Sequence, residues 1–115
     1  IHRIVRTANE EGRELAAPGI TAEQLDRAVR QVVADAGHST NFIHRTGHGI
    51  GLEVHEHPYI VEGNAQPLES GMAFSVEPGI YLEGMFGVRI EDIVVCTDGG
   101  AETLNQASRE LVVVS

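Results

Sequence analysis

The 115-residue chain carries 17 Asp and Glu against 8 Lys and Arg, for a net charge of −9, and 42% of its residues are apolar. That length suits one modest domain, and the acidic balance argues against nucleic acid or an anionic membrane as a partner. No apolar run approaches the ~20 residues of a membrane span, no signal-peptide pattern is present, and the lone Cys96 excludes an internal disulfide and fits a reducing, cytoplasmic compartment.

Apolar positions Ile1, Ile4, Val5, Ala8 and Leu15 follow helical spacing, so residues 1 to about 16 read as a helix, stopped by Pro18-Gly19. Because the chain opens with Ile1 inside an amphipathic pattern, it is expected to be an excised domain or fragment. Thr21 with Gln24 forms a capping-box signature for a second helix. Leu25, Ala28, Val29, Val32, Val33 and Ala36 continue it, and Gly37 suits its end. These two helices form a hairpin whose apolar faces require a sheet to cover them.

Beyond Gly37 the period changes. Glycines at 47, 49 and 51 rule out a stable helix, so His44 and His48, although four apart, are not a helical metal pair. Extended runs are expected at 54–61 (interrupted by Pro58), 72–76, 80–82, 88–96, 101–104 and 111–114. Asp98-Gly99-Gly100 is a hairpin turn. No repeat or linker is apparent. The predicted fold class is α+β, two helices packed on a curved, mainly antiparallel sheet.

The segment from Thr46 to Glu56 sets His48 and His55 seven residues apart among glycines. It lacks the spacing of a dinucleotide loop and the Lys of a phosphate-binding loop. Glycines beside a His suit close backbone approach to a ligand or metal, and suit equally a tight bend with a surface His. Glu77, after the apolar run Met72 to Val76, and Glu91, after Val88-Arg89-Ile90, shift the balance. Acidic side chains in apolar strands are rare unless paired or metal-bound, although a single one can face solvent. One imidazole and two carboxylates form a partial ligand set for a divalent transition metal. Arg89, two residues before Glu91, shares its sheet face and is placed to hold a carboxylate ligand; an ordinary solvent-facing ion pair is the alternative. His44 and His55 are candidates for substrate contact or proton work near a metal, while His2 and His38 fit surface positions. His57 could share the face of His55.

His44-Arg45-Thr46-Gly47-His48-Gly49-Ile50-Gly51, Val54-His55-Glu56-x-Pro58, Val76-Glu77-Pro78-Gly79-Ile80-Tyr81 and Val88-Arg89-Ile90-Glu91-Asp92 together resemble the pita-bread metallopeptidases. The second pair of motifs looks like their proline-directed branch, aminopeptidase P and prolidase. The resemblance implies half of a pita-bread fold and hydrolysis of the bond preceding proline in a peptide substrate. It implies that His48, Glu77 and Glu91 are metal ligands, with Glu77 also the general base and acid and Glu91 bridging two ions. His55 would stabilise the tetrahedral intermediate, His44 would touch substrate, and Arg89 would order the polar network. An oxygen-rich site with one imidazole suits two Mn²⁺ ions, with Co²⁺ or Zn²⁺ as alternatives.

The family also supplies two Asp ligands, and usually another His, from a segment upstream of the first helix. Residues 1–115 are therefore expected to be the C-terminal part of the catalytic domain, inactive alone and part of a homodimer when complete. Two competing readings are a metal-independent, creatinase-like hydrolase and a non-catalytic binding protein of the same fold.

Overall fold

The computed structural model describes residues 1–114. Helix α1 spans His2–Leu15 and helix α2 spans Ala22–Asp35. The foreseen capping box is present, since the Thr21 hydroxyl accepts from the Gln24 N–H at 3.2 Å and the Gln24 amide oxygen accepts from the Thr21 N–H at 2.9 Å. Gly37, at φ +86°, follows the C-cap Ala36 in the left-handed region.

Seven strands follow: β1 Gly47–Gly49, β2 Glu56–Ile60, β3 Ala73–Val76, β4 Gly79–Leu82, β5 Phe86–Arg89, β6 Asp92–Thr97 and β7 Gly100–Thr103. Five form one sheet in the order β2-β1-β3-β6-β7, and β4 pairs with β5 in a second. Every pairing is antiparallel. The expected α+β arrangement is therefore observed, with the Asp98-Gly99 turn joining β6 to β7 at the pair Thr97–Gly100.

Two clusters glue the helices to the sheets. Leu25, Ile60, Phe74, Val76, Val94 and Cys96 belong to one; Val5, Ala8, Val29, Val33, Phe42 and Ile80 belong to the other. Each Val, Leu, Ile or Phe among them contributes about 1.5–3 kcal/mol by leaving water. Along β6 the period-2 alternation is clean: Asp92, Val94 and Cys96 are buried, while Ile93, Val95 and Thr97 are half-buried.

Four expectations need correction. The run 88–96 is not one strand, because β5 belongs to the small sheet and β6 to the large one, so the chain breaks at Ile90-Glu91 to change sheets. The run 54–61 is extended only over β2, and Val54 lies on an exposed bend. Leu111 to Val114 is no strand: these side chains are exposed and pair with nothing among the described residues. Leu15, given an apolar helix face, is also exposed. Conversely, β1 was hidden by its glycines. A Cβ on Gly47 would overlap the Ser75 carbonyl, and one on Gly49 the backbone of His57, so only glycines admit neighbours this close.

Candidate metal centre

The chain changes sheets at two places, and both carry a glutamate. It leaves β3 at Val76 and enters β4 at Gly79, placing Glu77 in the first gap. It leaves β5 at Arg89 and enters β6 at Asp92, placing Glu91 in the second. The gaps lie side by side, because Val76 pairs with Asp92 and Gly79 with Arg89. Two carboxylates fourteen residues apart thus meet at one break in the ladder.

His48 reaches them from β1. Its backbone N–H donates to the buried Ser75 hydroxyl at 3.0 Å. Its Nδ1 lies 2.9 Å from the Gly49 carbonyl. A carbonyl only accepts, so Nδ1 carries the proton and Nε2 is the atom that faces Glu77 Oε2, at 3.3 Å. Arg89 approaches the other oxygen, with Nη1 3.6 Å from Glu77 Oε1. The sequence placed Arg89 and Glu91 on one face of one strand. They instead converge on Glu77 from either side of the Ile90-Glu91 break.

One atom each from His48, Glu77 and Glu91 lies within 4.8 Å of the other two. Glu77 Oε2 is buried and has no hydrogen-bond partner. Glu91 is exposed as a residue, yet its carboxyl is pushed above the usual carboxylate range, first by partial desolvation, then by hydrogen bonding and charge repulsion from Glu77; His48 and Arg89 oppose the shift. An orphaned carboxylate oxygen, a second carboxylate and an inward imidazole nitrogen are three donors converging on one point. That set fits a divalent cation.

A cleft of about 410 Å³ opens beside this cluster, lined by His44, Arg45, His48, His55, Val61, Glu77 and Arg89. His55 stands on the exposed bend before β2, its ring centroid 4.6 Å from that of His48 in an edge-on contact. The His44 Nδ1 is 2.8 Å from the Arg45 carbonyl, leaving a buried Nε2 with no partner. Burial holds the His44 imidazolium form down, lowering its pKa below the ordinary histidine value. His44 and His55 therefore line the cleft beside the donor cluster. His57 does not join them: it is exposed, packs on Tyr59 at 4.7 Å between centroids and lines a different hollow.

Sequence reading missed the residues that hold this wall in place. Asp26, almost fully buried on α2, accepts from the Thr46 hydroxyl at 2.7 Å and from its N–H at 3.2 Å. Arg30 pairs with Asp26 and donates to the Phe42 and His44 carbonyls, each at 2.8 Å. Asp92, next to Glu91, is buried and held by Arg109 Nε and Nη2 at 2.8 and 2.7 Å. The spacing of Asp26 and Arg30 was the available signal, but an i, i+4 acid–base pair usually marks a solvated helix face.

A two-helix, antiparallel α+β unit with a His–Glu–Glu donor cluster at its sheet break has the pita-bread fold. Its solved neighbours include an X-Pro aminopeptidase from Thermotoga maritima, similar at TM-score 0.96 and 46% identity over 99% of this chain and 32% of that one. The family model described as "Metallopeptidase family M24" matches residues 1–98, and the chain belongs to that family. Curated relatives include a probable dipeptidase PepE of Mycobacterium tuberculosis, 54% identical over 98% of this chain and 30% of that protein. A second is an Xaa-Pro dipeptidase of Lactobacillus delbrueckii subsp. lactis, 50% identical over 99% of this chain and 31% of that protein. The chain thus spans about 30% of the length of the curated relatives it matches.

Proposed function

We propose that residues 1–115 are the C-terminal part of the catalytic domain of a dinuclear metallopeptidase that hydrolyses the bond preceding proline. The observation that carries this reading is the buried, unpartnered Glu77 Oε2 facing His48 Nε2 beside Glu91. That oxygen has no hydrogen-bond partner, and a cation bound between it, His48 Nε2 and Glu91 would satisfy it. The resemblance to Xaa-Pro dipeptidases supports the choice of substrate.

In this reading His48, Glu77 and Glu91 hold divalent ions, with Mn²⁺ preferred and Co²⁺ or Zn²⁺ acceptable. Bound metal supplies a water of lowered pKa and a polarised scissile carbonyl. Glu77 takes the proton of the attacking water and passes it to the departing proline nitrogen. His55, exposed on its bend and lining the cleft, stabilises the oxyanion of the tetrahedral intermediate. His44 presents Nε2 to the substrate, and its buried ring favours the neutral form that can accept a hydrogen bond. Arg89 holds the free edge of Glu77. An imide nitrogen has no N–H, so recognition rests on ring shape and on the carbonyl.

Three donors do not complete a two-ion shell, so the segment alone is expected to bind Mn²⁺ weakly and to be inactive. In the same reading the complete protein is a homodimer, which family resemblance suggests, and cytoplasmic, which fits the lone Cys96. No helix among the described residues is long and apolar enough to cross a membrane. The test is hydrolysis of Xaa-Pro dipeptides and longer Xaa-Pro peptides by the complete protein, with Mn²⁺ and with chelator. Chelator-sensitive turnover supports the proposal, and metal-independent turnover overturns it. Peptide-length preference separates dipeptidase from aminopeptidase.

A further inference from the structure

The two sheet changes that carry Glu77 and Glu91 share one buried side chain. Asn9, on α1 and fully buried, donates its Nδ2 hydrogens to the Val76 carbonyl at 3.1 Å and toward the Ile90 carbonyl at 3.5 Å. Those carbonyls belong to the residues immediately before Glu77 and Glu91. At this point the strands part into different sheets, with the ladder interrupted between the pairs Val76–Asp92 and Gly79–Arg89. There the Ile90 N–H donates to the Pro78 carbonyl at 3.3 Å, and the Asn9 amide adds a side-chain bridge between the two gaps. Its own orientation is fixed, because Asn9 Oδ1 accepts from Arg13 Nε at 2.8 Å, and Arg13 lies 3.5 Å from Asp92.

The amide can reach only because α1 lies against β3. Gly12, one turn along the same helix face, makes that possible. A Cβ there would stand 2.6 Å from Val76 Cγ1 and 2.8 Å from Val29 Cγ2. Glycine in a helix interior costs roughly 0.5–1 kcal/mol relative to alanine, so its presence is explained by the close approach it allows.

We propose that Asn9, admitted by Gly12, is a positioning residue that sets the separation of the Glu77 and Glu91 carboxylates. The inference deepens the metal-site reading above and rests on it for its functional meaning. Asn9 touches neither metal nor substrate; it acts through the backbone that presents two donors. Partners of ligand residues typically change metal affinity 10–100-fold when removed.

The experiment uses the complete protein, stripped of metal, with Asn9→Leu, Gly12→Ala, Glu91→Gln and the core variant Val33→Ala. Val33 lies in the helix-side cluster and outside the site cleft, so its variant reports stability loss alone. Mn²⁺ affinity is measured by calorimetry, Tm by thermal unfolding, and the Glu77 and Glu91 amide resonances by NMR without metal. Asn9→Leu is expected to weaken Mn²⁺ binding about 10–100-fold. Gly12→Ala should weaken it less, both should move the two Glu resonances, and Val33→Ala should lower Tm with Mn²⁺ affinity intact. If Asn9→Leu fails to fold, Gly12→Ala carries the test. Wild-type affinity in the folded variants, or a loss matched by Val33→Ala at equal Tm, would overturn the proposal. Equal Mn²⁺ binding by wild type and Glu91→Gln would instead remove the metal-site reading. The metal-free resonances would then decide alone whether Asn9 positions the two glutamates.

Discussion

The two histidines that flank the glycine-rich segment, His48 and His55, sit with ring centroids 4.6 Å apart and are supported in opposite ways. His48 is buried on a strand between glycines, with its backbone held by Ser75 and its ring by the Gly49 carbonyl. His55 is exposed on a bend, next to Val54 at 80% and near Leu52 at 103% exposure. The buried wall is over-determined. Behind it, Asp26 and Arg30 pin Thr46 and the His44 carbonyl, while Asn9 and Asp92 secure the carboxylate strands. The contrast separates holding from handling: ligands require fixed geometry, whereas a group that meets substrate must be reachable.

The comparison breaks most severely at Glu77, which belongs to both jobs. Glu77→Gln in the complete protein is expected to lower kcat/KM on Xaa-Pro dipeptides on the order of 10²–10⁴-fold from proton transfer alone. Weakened Mn²⁺ binding, read by calorimetry, should accompany it. Near-normal turnover would remove Glu77 from the mechanism. His55→Ala comes next, with a kcat loss on the order of 10²-fold. There Mn²⁺ affinity should stay unchanged; if affinity falls in step with kcat, His55 holds metal rather than handling substrate.

A structural blow to the rigid wall should be smaller. Asp26→Ala leaves the Thr46 hydroxyl buried without its acceptor, while the Thr46 N–H keeps the Ile60 carbonyl at 3.0 Å, and the orphaned hydroxyl costs about 1–3 kcal/mol. Chemical denaturation measures that loss. If the wall matters to the site, Mn²⁺ affinity falls too; a loss of stability with intact affinity would show that β1 holds its shape unaided.

Much of this was legible in residue order. The capping box, the glycine-ended second helix and the Asp98-Gly99 turn are local signals, decided by bonds a few residues long. Convergence of His48, Glu77 and Glu91 was legible because acidic residues set among apolar runs demand an explanation, although only Glu77 of the two is buried. The break between β5 and β6 was not, since Val88 to Cys96 is uniformly strand-like and only the partners on each side divide it. Asp26 and Arg30 read as a surface pair, because nothing local says that Thr46 closes over them. Asn9 was equally silent, as a polar helix residue whose partners lie 67 and 81 positions away.

The subtlest expected effect concerns neighbours with opposite protonation behaviour, Glu91 and Asp92. Burial would push the Asp92 carboxyl up, yet hydrogen bonds from Arg109 and Asn105 outweigh it and hold the carboxyl below its ordinary range. Its stabilisation is therefore complete above the ordinary aspartate pKa and is lost as pH falls through the lower folded-state value. Glu91 is raised, chiefly by partial desolvation and then by Glu77, so its contribution runs the other way. It is present below the ordinary glutamate pKa and disappears as pH rises through the higher folded-state value. For the metal-free protein, Asp92→Asn should flatten the acid limb of stability against pH, and Glu91→Gln should flatten the limb above it. Unfolding at several pH values reads both limbs. If the two substitutions moved the same limb, the carboxylates would share one environment. The division between a hydrogen-bonded wall and a charge-deficient centre would then not hold at the residues where the two meet.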